Sequence, residues 1–404
     1  MANHSAIAVI GTFDSKADEH IFLKERIEQR GFRTFTINVG TRSPSPVPVD
    51  LDLFKSISGG SQRVMAVSRD KVINAMLREA GAQVKQLFEK GGIRGIISAG
   101  GGTGTHICST IMRELPLGVP KVMVSTVASR NMFDVVSTKD ITMIHSVVDL
   151  LGINTISGNI LDGAAAAICG MIQSQWQPDK AKKRVALPFF GFITAGAEFT
   201  RRDMEALGYE VIAFHANGTG GMAMEDLAEE GYFAGILDLT THELADHLMD
   251  GYCRGIGPRR YGPVPGKSIP RLIIPGGLDC AVFEFTRKNI PEVYRDRKIF
   301  FYDFRSAIRL NTYETTMLAD QLSERLNRGP KESKVLIPSK GWSEADREGG
   351  PLYDPEMNSV FTKRLREVLD PRIEMREVNH HINDSAFAQI AVKMMDEMIK
   401  NSIK

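Results

Sequence analysis

Short apolar runs alternate along this chain with longer stretches in which apolar residues return every three or four positions. Ala6 to Ile10 is an apolar run stopped by Gly11. Polar Thr12 to Lys16 follows, then Ile21, Phe22, Leu23 and Ile27 in helical spacing, and Gly31-Phe32 opens a second run, Thr34 to Val39. A short run bounded by turn residues reads as a buried strand and a 3.6-residue period as an amphipathic helix. The opening is therefore strand, loop, helix, strand. Pro44, Pro46 and Pro48 make Arg42 to Asp50 a loop or extended crossing. Val72 to Phe88 predicts a helix and Gly95 to Ala99 a strand that runs into Gly100-Gly-Gly-Thr-Gly-Thr105. Lys121 to Ser125 predicts another strand, and Gly158 to Gln173 a small-residue helix.

Gln175 to Lys183, with Pro178 and a basic cluster, reads as a linker, after which the pattern restarts. Strands are expected at Arg184–Phe192, Val211–His215, Gly235–Leu239, Arg271–Ile274, Lys298–Tyr302 and Lys334–Pro338, with a helix over Glu198–Leu207 and a final one over Ser385–Ile399. The halves rhyme. Gly31-Phe32 precedes one second strand and Gly208-Tyr209 the other, each after a strand, a glycine-bearing loop and a helix. Alternating strands and helices imply parallel sheets with right-handed crossovers. The expected fold is α/β, two tandem Rossmann-like lobes with mostly parallel sheets, residues 1–183 and 184–404.

Composition narrows the class. Hydrophobic residues make up 43% and charged residues 25% of 404, as in globular domains. Fifty Lys and Arg against 49 Asp and Glu leave a net charge of +1, so no global basic field gathers nucleic acid. No run of ~20 apolar residues suggests a membrane span, and no signal segment is evident. Cys108, Cys169, Cys253 and Cys280 form no CxxC pair, which argues for reduced, buried thiols rather than a zinc cage or a disulfide framework. A cytoplasmic protein is expected, with no nucleic-acid or membrane partner.

In open parallel sheets ligands bind beyond the carboxyl ends of the strands, where helix N-termini point their N–H groups outward. Polar signatures occur there. Gly11-Thr-Phe-Asp-Ser-Lys16 offers hydroxyls, with Asp14 either a helix cap or a group for a metal or a ribose, and Lys16 for a phosphate. The loop meets neither GxGxxG nor GxxxxGK[ST] spacing. Gly100 to Thr105, four glycines in six residues, allows close backbone approach to an anion; His106 starts a helix. In the second half, His215-Ala-Asn-Gly-Thr-Gly-Gly221 is another possible anion cradle. Asp238-Leu-Thr-Thr-His-Glu243 and Pro275-Gly-Gly-Leu-Asp279 also follow strands. His215, Asp238, His242, Glu243 and Asp279 are either acid–base groups or helix caps. His380 to Asp384 places Asn383 or Asp384 as the cap of the last helix.

Six segments, GTFDSK at 11–16, GGGTGT at 100–105, HANGTGG at 215–221, DLTTHEL at 238–244, PGGLD at 275–279 and HIND at 381–384, fall in order along nearly the whole chain. Together they resemble the Tm-1-like ATP-binding proteins, also called UPF0261. The resemblance implies two Rossmann-like subdomains, a homodimer, and ATP with Mg2+ in the first lobe. It would place Gly11, Thr12 and Asp14 with Gly101, Gly102, Thr103, Gly104 and Thr105 around the nucleotide. Thr41, Arg69 and Thr126 would stand nearby, and Asp14 would orient magnesium. The competing expectation is an enzyme on a small carboxylated or phosphorylated metabolite, using His215, Asp238, His242 and Asp279.

Overall fold

The structure, a computed structural model, describes residues 5–58, 68–176, 179 and 181–402. The chain divides into two compact units, Met1–Gln177 and Pro178–Lys404. Of the linker expected at 175–183, residues 177, 178 and 180 lie outside the described residues.

The first unit runs β1 (Ala6–Gly11), α1 (Phe13–Gln29), β2 (Thr34–Asn38), β3 (Leu51–Asp52), α2 (Leu53–Ser58), α3 (Arg69–Glu89), β4 (Ile93–Gly100), α4 (Gly102–Met112), β5 (Lys121–Ser125), α5 (Phe133–Val136), β6 (Thr142–His145) and α6 (Thr155–Ile172). Its six strands make one parallel sheet in the order β3-β2-β1-β4-β5-β6. Successive residues of β1 point to opposite faces, and both faces are covered. Ala8 and Ile10 join one apolar cluster with Met76, Val84 and Ile107; Ile7 and Val9 join another with Leu23, Leu161 and Ile168. A strand buried on both sides must be continuously apolar, which is why β1 and β4 were legible as runs.

The helix α6 bears on the expected absence of a membrane span. Among the described residues it is long and apolar enough to cross a membrane. Its apolarity comes from Ile156, Ile160, Leu161, Ile168, Ile172 and four alanines, interrupted by Ser157, Asn159 and Asp162. Here Leu161, Ala164, Ala165 and Ile168 are buried in the cluster on the sheet.

The second unit runs β7 (Arg184–Phe189), α7 (Thr194–Ala206), β8 (Glu210–His215), α8 (Thr219–Glu229), β9 (Gly235–Asp238), α9 (His242–Met249), β10 (Arg271–Ile273), β11 (Cys280–Phe283), β12 (Ile299–Phe301), β13 (Ser306–Arg309), α10 (Thr312–Leu326), β14 (Ser333–Pro338), α11 (Pro355–Val368), β15 (Glu374–Val378) and α12 (Ser385–Asn401). Six strands form a second parallel sheet, β15-β14-β10-β9-β7-β8. Apart from the two-residue edge strand β3 in one sheet and the sixth strand β15 at the far edge of the other, both share one order: second, first, third, fourth, fifth. That is the doubly wound arrangement, with its switch point between the first strand and the third. The run at Lys298–Tyr302 belongs instead to a small antiparallel sheet, β11-β13-β12, inserted between β10 and β14.

Candidate functional site

Each switch point carries a cavity. In the first unit it lies between the turns after β1 and β4. About 300 Å³ of space is lined by Thr12, Asp14, Ser15, Lys16, Thr41, Arg42, Arg69 and Gly101 to Gly104.

The β1 turn is closely fitted. A Cβ on Gly11 would fall on the ring of His20, which is buried beneath it. The His20 Nε2 accepts the Ala99 N–H at 3.4 Å and its Nδ1 donates to the Lys16 carbonyl. Burial lowers its pKa, in keeping with a neutral ring. Asp14 accepts the Arg42 N–H at 2.9 Å, and its carboxylate occupies the space a Cβ on Gly40 would need. That bond ties the β1 turn to the loop after β2. The Lys16 ammonium is held by the Leu150 carbonyl.

After β4, Gly101 is the N-cap of α4 in extended conformation, and no side chain caps the helix. The N–H groups of Gly102, Thr103 and Gly104 are engaged by no described residue. Such groups carry the positive end of the helix dipole. Thr103 is exposed at this end and Thr126 stands beside Gly101. Thr105 departs from its expected place. It is buried and its hydroxyl shares a 2.7 Å hydrogen bond with Ser125. Arg42 was not singled out in the sequence, although its position just beyond β2 was a usable signal.

In the second unit, a cavity of about 290 Å³ lies beside the turns after β7 and β9. It is lined by Phe190, Gly191, Phe192, His215, His242, Cys253, Val282, Tyr302, Arg305 and Glu344. His215 is exposed at the end of β8, its pKa lowered by partial burial and by Arg305. His242 is fully buried, stacked on the Phe190 ring with centroids 4.3 Å apart, and its Nδ1 lies 3.0 Å from the Gly277 carbonyl. Burial alone would lower the His242 pKa, but the facing Asp246 carboxylate overrides it and holds it well above the ordinary value.

Asp238, expected among the acid–base groups, does not reach this cavity. Both its oxygens receive Arg260, at 2.6 and 2.7 Å, and Arg271 adds a bond at 3.0 Å. Glu243 receives the Arg260 Nε at 2.8 Å, and Glu225 holds Arg271. Three carboxylates thus share two guanidiniums in the interior, and burial raises the Glu243 pKa against the pull of Arg260. Asp238 and Glu243 are thus paired with guanidiniums in the interior and line no part of the cavity. Asp279 is buried too. Its Oδ2 accepts the Ser343 hydroxyl at 2.9 Å.

The loop at 215–221 is not an open cradle. The Gly218 N–H goes to Glu243 at 2.8 Å and the Gly220 N–H to Asn217 at 3.0 Å. Asp384 sits at the N-cap of α12 but accepts the His381 N–H at 2.8 Å rather than a helical one. Asn383 instead accepts the Gly196 N–H of α7 at 3.0 Å.

Fold and cavities define a protein of two Rossmann-like lobes with a pocket at each switch point. Comparison with known proteins gives the family. Residues 5–177 match the N-terminal domain, and residues 182–399 the C-terminal domain, of the uncharacterised protein family UPF0261, to which this chain belongs. A UPF0261 protein of Clostridium tetani is 37% identical over 401 residues, 98% of this chain and 99% of that one. One from Mesorhizobium japonicum is 34% identical, over 96% and 98%. The ToMV resistance protein Tm-1 of Solanum lycopersicum is 30% identical over 430 residues, 99% of this chain but 57% of the tomato protein.

Proposed function

We propose that this is a cytoplasmic nucleotide-binding protein that takes ATP with Mg2+ in the first lobe. The uncapped N-terminus of α4 carries this reading. Three N–H groups that no described residue engages open onto a cavity whose lining includes Lys16, Arg42 and Arg69. Backbone donors, helix dipole and cations together suit a phosphate chain, and about 300 Å³ is at the lower end of ligand-sized pockets. Thr12 and Thr103 would add hydroxyls to the phosphates. Asp14 is the one carboxylate in that lining and the residue to orient magnesium water. Calorimetric titration with ATP, with and without magnesium, tests the reading. Binding should require magnesium, and Asp14→Ala should weaken it at least tenfold; no binding in either condition overturns it.

A second reading is favoured by His215, His242 and Arg305 on one cavity: an enzyme acting on a small carboxylated metabolite in the second lobe. It predicts a thermal shift with small di- or tricarboxylates that Arg305→Ala removes, and no shift in the intact chain argues against it.

A further inference from the structure

The second-lobe cavity ends on a group of side chains of which the second reading uses only His242. Asp246 lies four residues after His242, one turn along α9, so both project from the same face. The helix stops at Asp250, which adopts the left-handed conformation at φ 56°, a turn that Asp tolerates better than most residues. The reversed chain carries Cys253 back over the helix, where its N–H bonds Asp246 Oδ2 at 2.6 Å. One ligand atom from each of His242, Asp246 and Cys253 lies within 4.8 Å of the others, and all three residues are buried.

The ring of His242 has a fixed orientation. Its Nδ1 faces a carbonyl, which accepts only, so Nδ1 carries a proton, and in the uncharged ring Nε2 is left with a lone pair. That lone pair points toward Asp246 Oδ2, 3.5 Å away, and Nε2 has no hydrogen-bond partner among the described residues. Two electron-pair donors facing each other in a buried site need a cation between them, either a proton or a metal. An N–H···O bond runs about 2.7–3.2 Å. Adjacent ligands of a tetrahedral ion with bonds of ~2.0 Å lie about 3.3 Å apart, which is nearer the observed gap. A histidine whose second nitrogen donates to a backbone carbonyl is also the usual form of a metal-ligating imidazole.

We propose that the second lobe binds a divalent transition-metal ion, zinc by ligand type, through His242 Nε2, Asp246 Oδ2 and the Cys253 thiolate. Three protein ligands leave a fourth position, and Cys253 and His242 both line the cavity, so that position opens toward Tyr302, Arg305 and Glu344. An open fourth position is the arrangement of reactive rather than structural zinc sites. Water or an anionic oxygen of a small molecule fills it. Asp246 is oriented for the role by its two backbone donors, the Cys253 N–H and the Val282 N–H at 2.8 Å.

The test uses the full chain, stripped with a chelator and titrated with Co2+ and then Zn2+. One equivalent of cobalt should give thiolate-to-cobalt charge-transfer absorption and the intense visible bands of a four-coordinate ion, and zinc should displace it. Cys253→Ser, close to isosteric, should abolish the charge-transfer band, and Asp246→Asn should weaken zinc at least a hundredfold. Thermal unfolding of the metal-free variants checks that they fold. Absence of the cobalt bands in the wild-type chain overturns the proposal, leaving a proton between His242 and Asp246. A charge-transfer band that persists in Cys253→Ser also overturns it. Both outcomes are independent of nucleotide binding in the first lobe.

Discussion

Two glycine-rich turns of similar composition, Gly100 to Thr105 and Ala216 to Gly221, follow strands in the two lobes and do different work. At the first, the N–H groups of Gly102 and its neighbours are engaged by no described residue, and a Cβ on Gly102 would meet none within 4 Å. At the second, Gly218 and Gly220 donate to Glu243 and Asn217. There a Cβ on Gly218 would fall on the Arg254 carbonyl, and one on Gly221 on Glu243 and Arg260. Glycine density reports that something approaches the backbone closely. In one lobe the space faces a cavity, and in the other the chain's own buried ion pairs fill it.

The largest effect that would break this contrast is at Gly221. Gly221→Ala drives a methyl against the Glu243–Arg260 pair, and a displaced buried ion pair is costly, so the second unit should lose roughly 3 kcal/mol in urea unfolding. Nucleotide affinity should hold. At Gly102 the effects reverse. Gly102→Glu has room for its side chain and an acidic residue suits a helix start, so stability should be unchanged. Its carboxylate would compete with a phosphate for the same N–H groups, weakening ATP at least tenfold, about 1.4 kcal/mol or more. Loss of stability at Gly102 together with tolerance at Gly221 would invert the assignment of the two turns.

How far the sequence showed this depended on the range of the interactions. Strands such as β1 and β4 are buried on both faces, so their apolar runs were visible alone, and the carboxyl-end rule pointed to Thr12, Asp14, Gly101 and Thr103, which do meet around one cavity. Asp238 looked the same as those residues in sequence. Its partners Arg260, in an irregular stretch, and Arg271, at the start of β10, lie 22 and 33 positions later, and no spacing rule joins them. The antiparallel strands β11 and β13 have four residues each, too few for a period to show, and without them the expected strand at Lys298–Tyr302 could not be assigned to a sheet of its own. His242 and Asp246 stand at helical spacing and were readable as a pair. Cys253 was not, because its return depends on the single left-handed residue Asp250.

The second lobe should also carry a pH dependence of its own. Asp346 is buried beside Asp279, and burial followed by that charge pushes its pKa to about 7. The folded chain then keeps a proton that the unfolded chain releases near pH 4. This contribution to stability is full below about pH 4 and is lost as pH rises through 7, at most ~1.4 kcal/mol per unit. Asp279→Asn keeps the Ser343 hydrogen bond, removes the charge and lowers the Asp346 pKa. The fall in unfolding free energy from urea titrations between pH 5 and 8 should shrink by roughly 1 kcal/mol. An equal fall in both chains would mean that the two carboxylates do not interact.

The smallest effect concerns Arg69, exposed at the start of α3 on the rim of the first cavity. An exposed cation facing a phosphate is screened by water and salt and is worth about 0.5 kcal/mol, so Arg69→Ala should weaken ATP roughly two- to threefold. The dependence of that loss on salt is more telling than its size. A rim charge acts through solvent, so the difference between wild type and variant should vanish by about 1 M salt, where the screening length is ~3 Å. The loss at Gly102→Glu should persist there, because its carboxylate occupies the donors directly. Unchanged affinity at low salt would place the anion away from α3. A tenfold loss that survived high salt would mean that Arg69 is desolvated against the ligand.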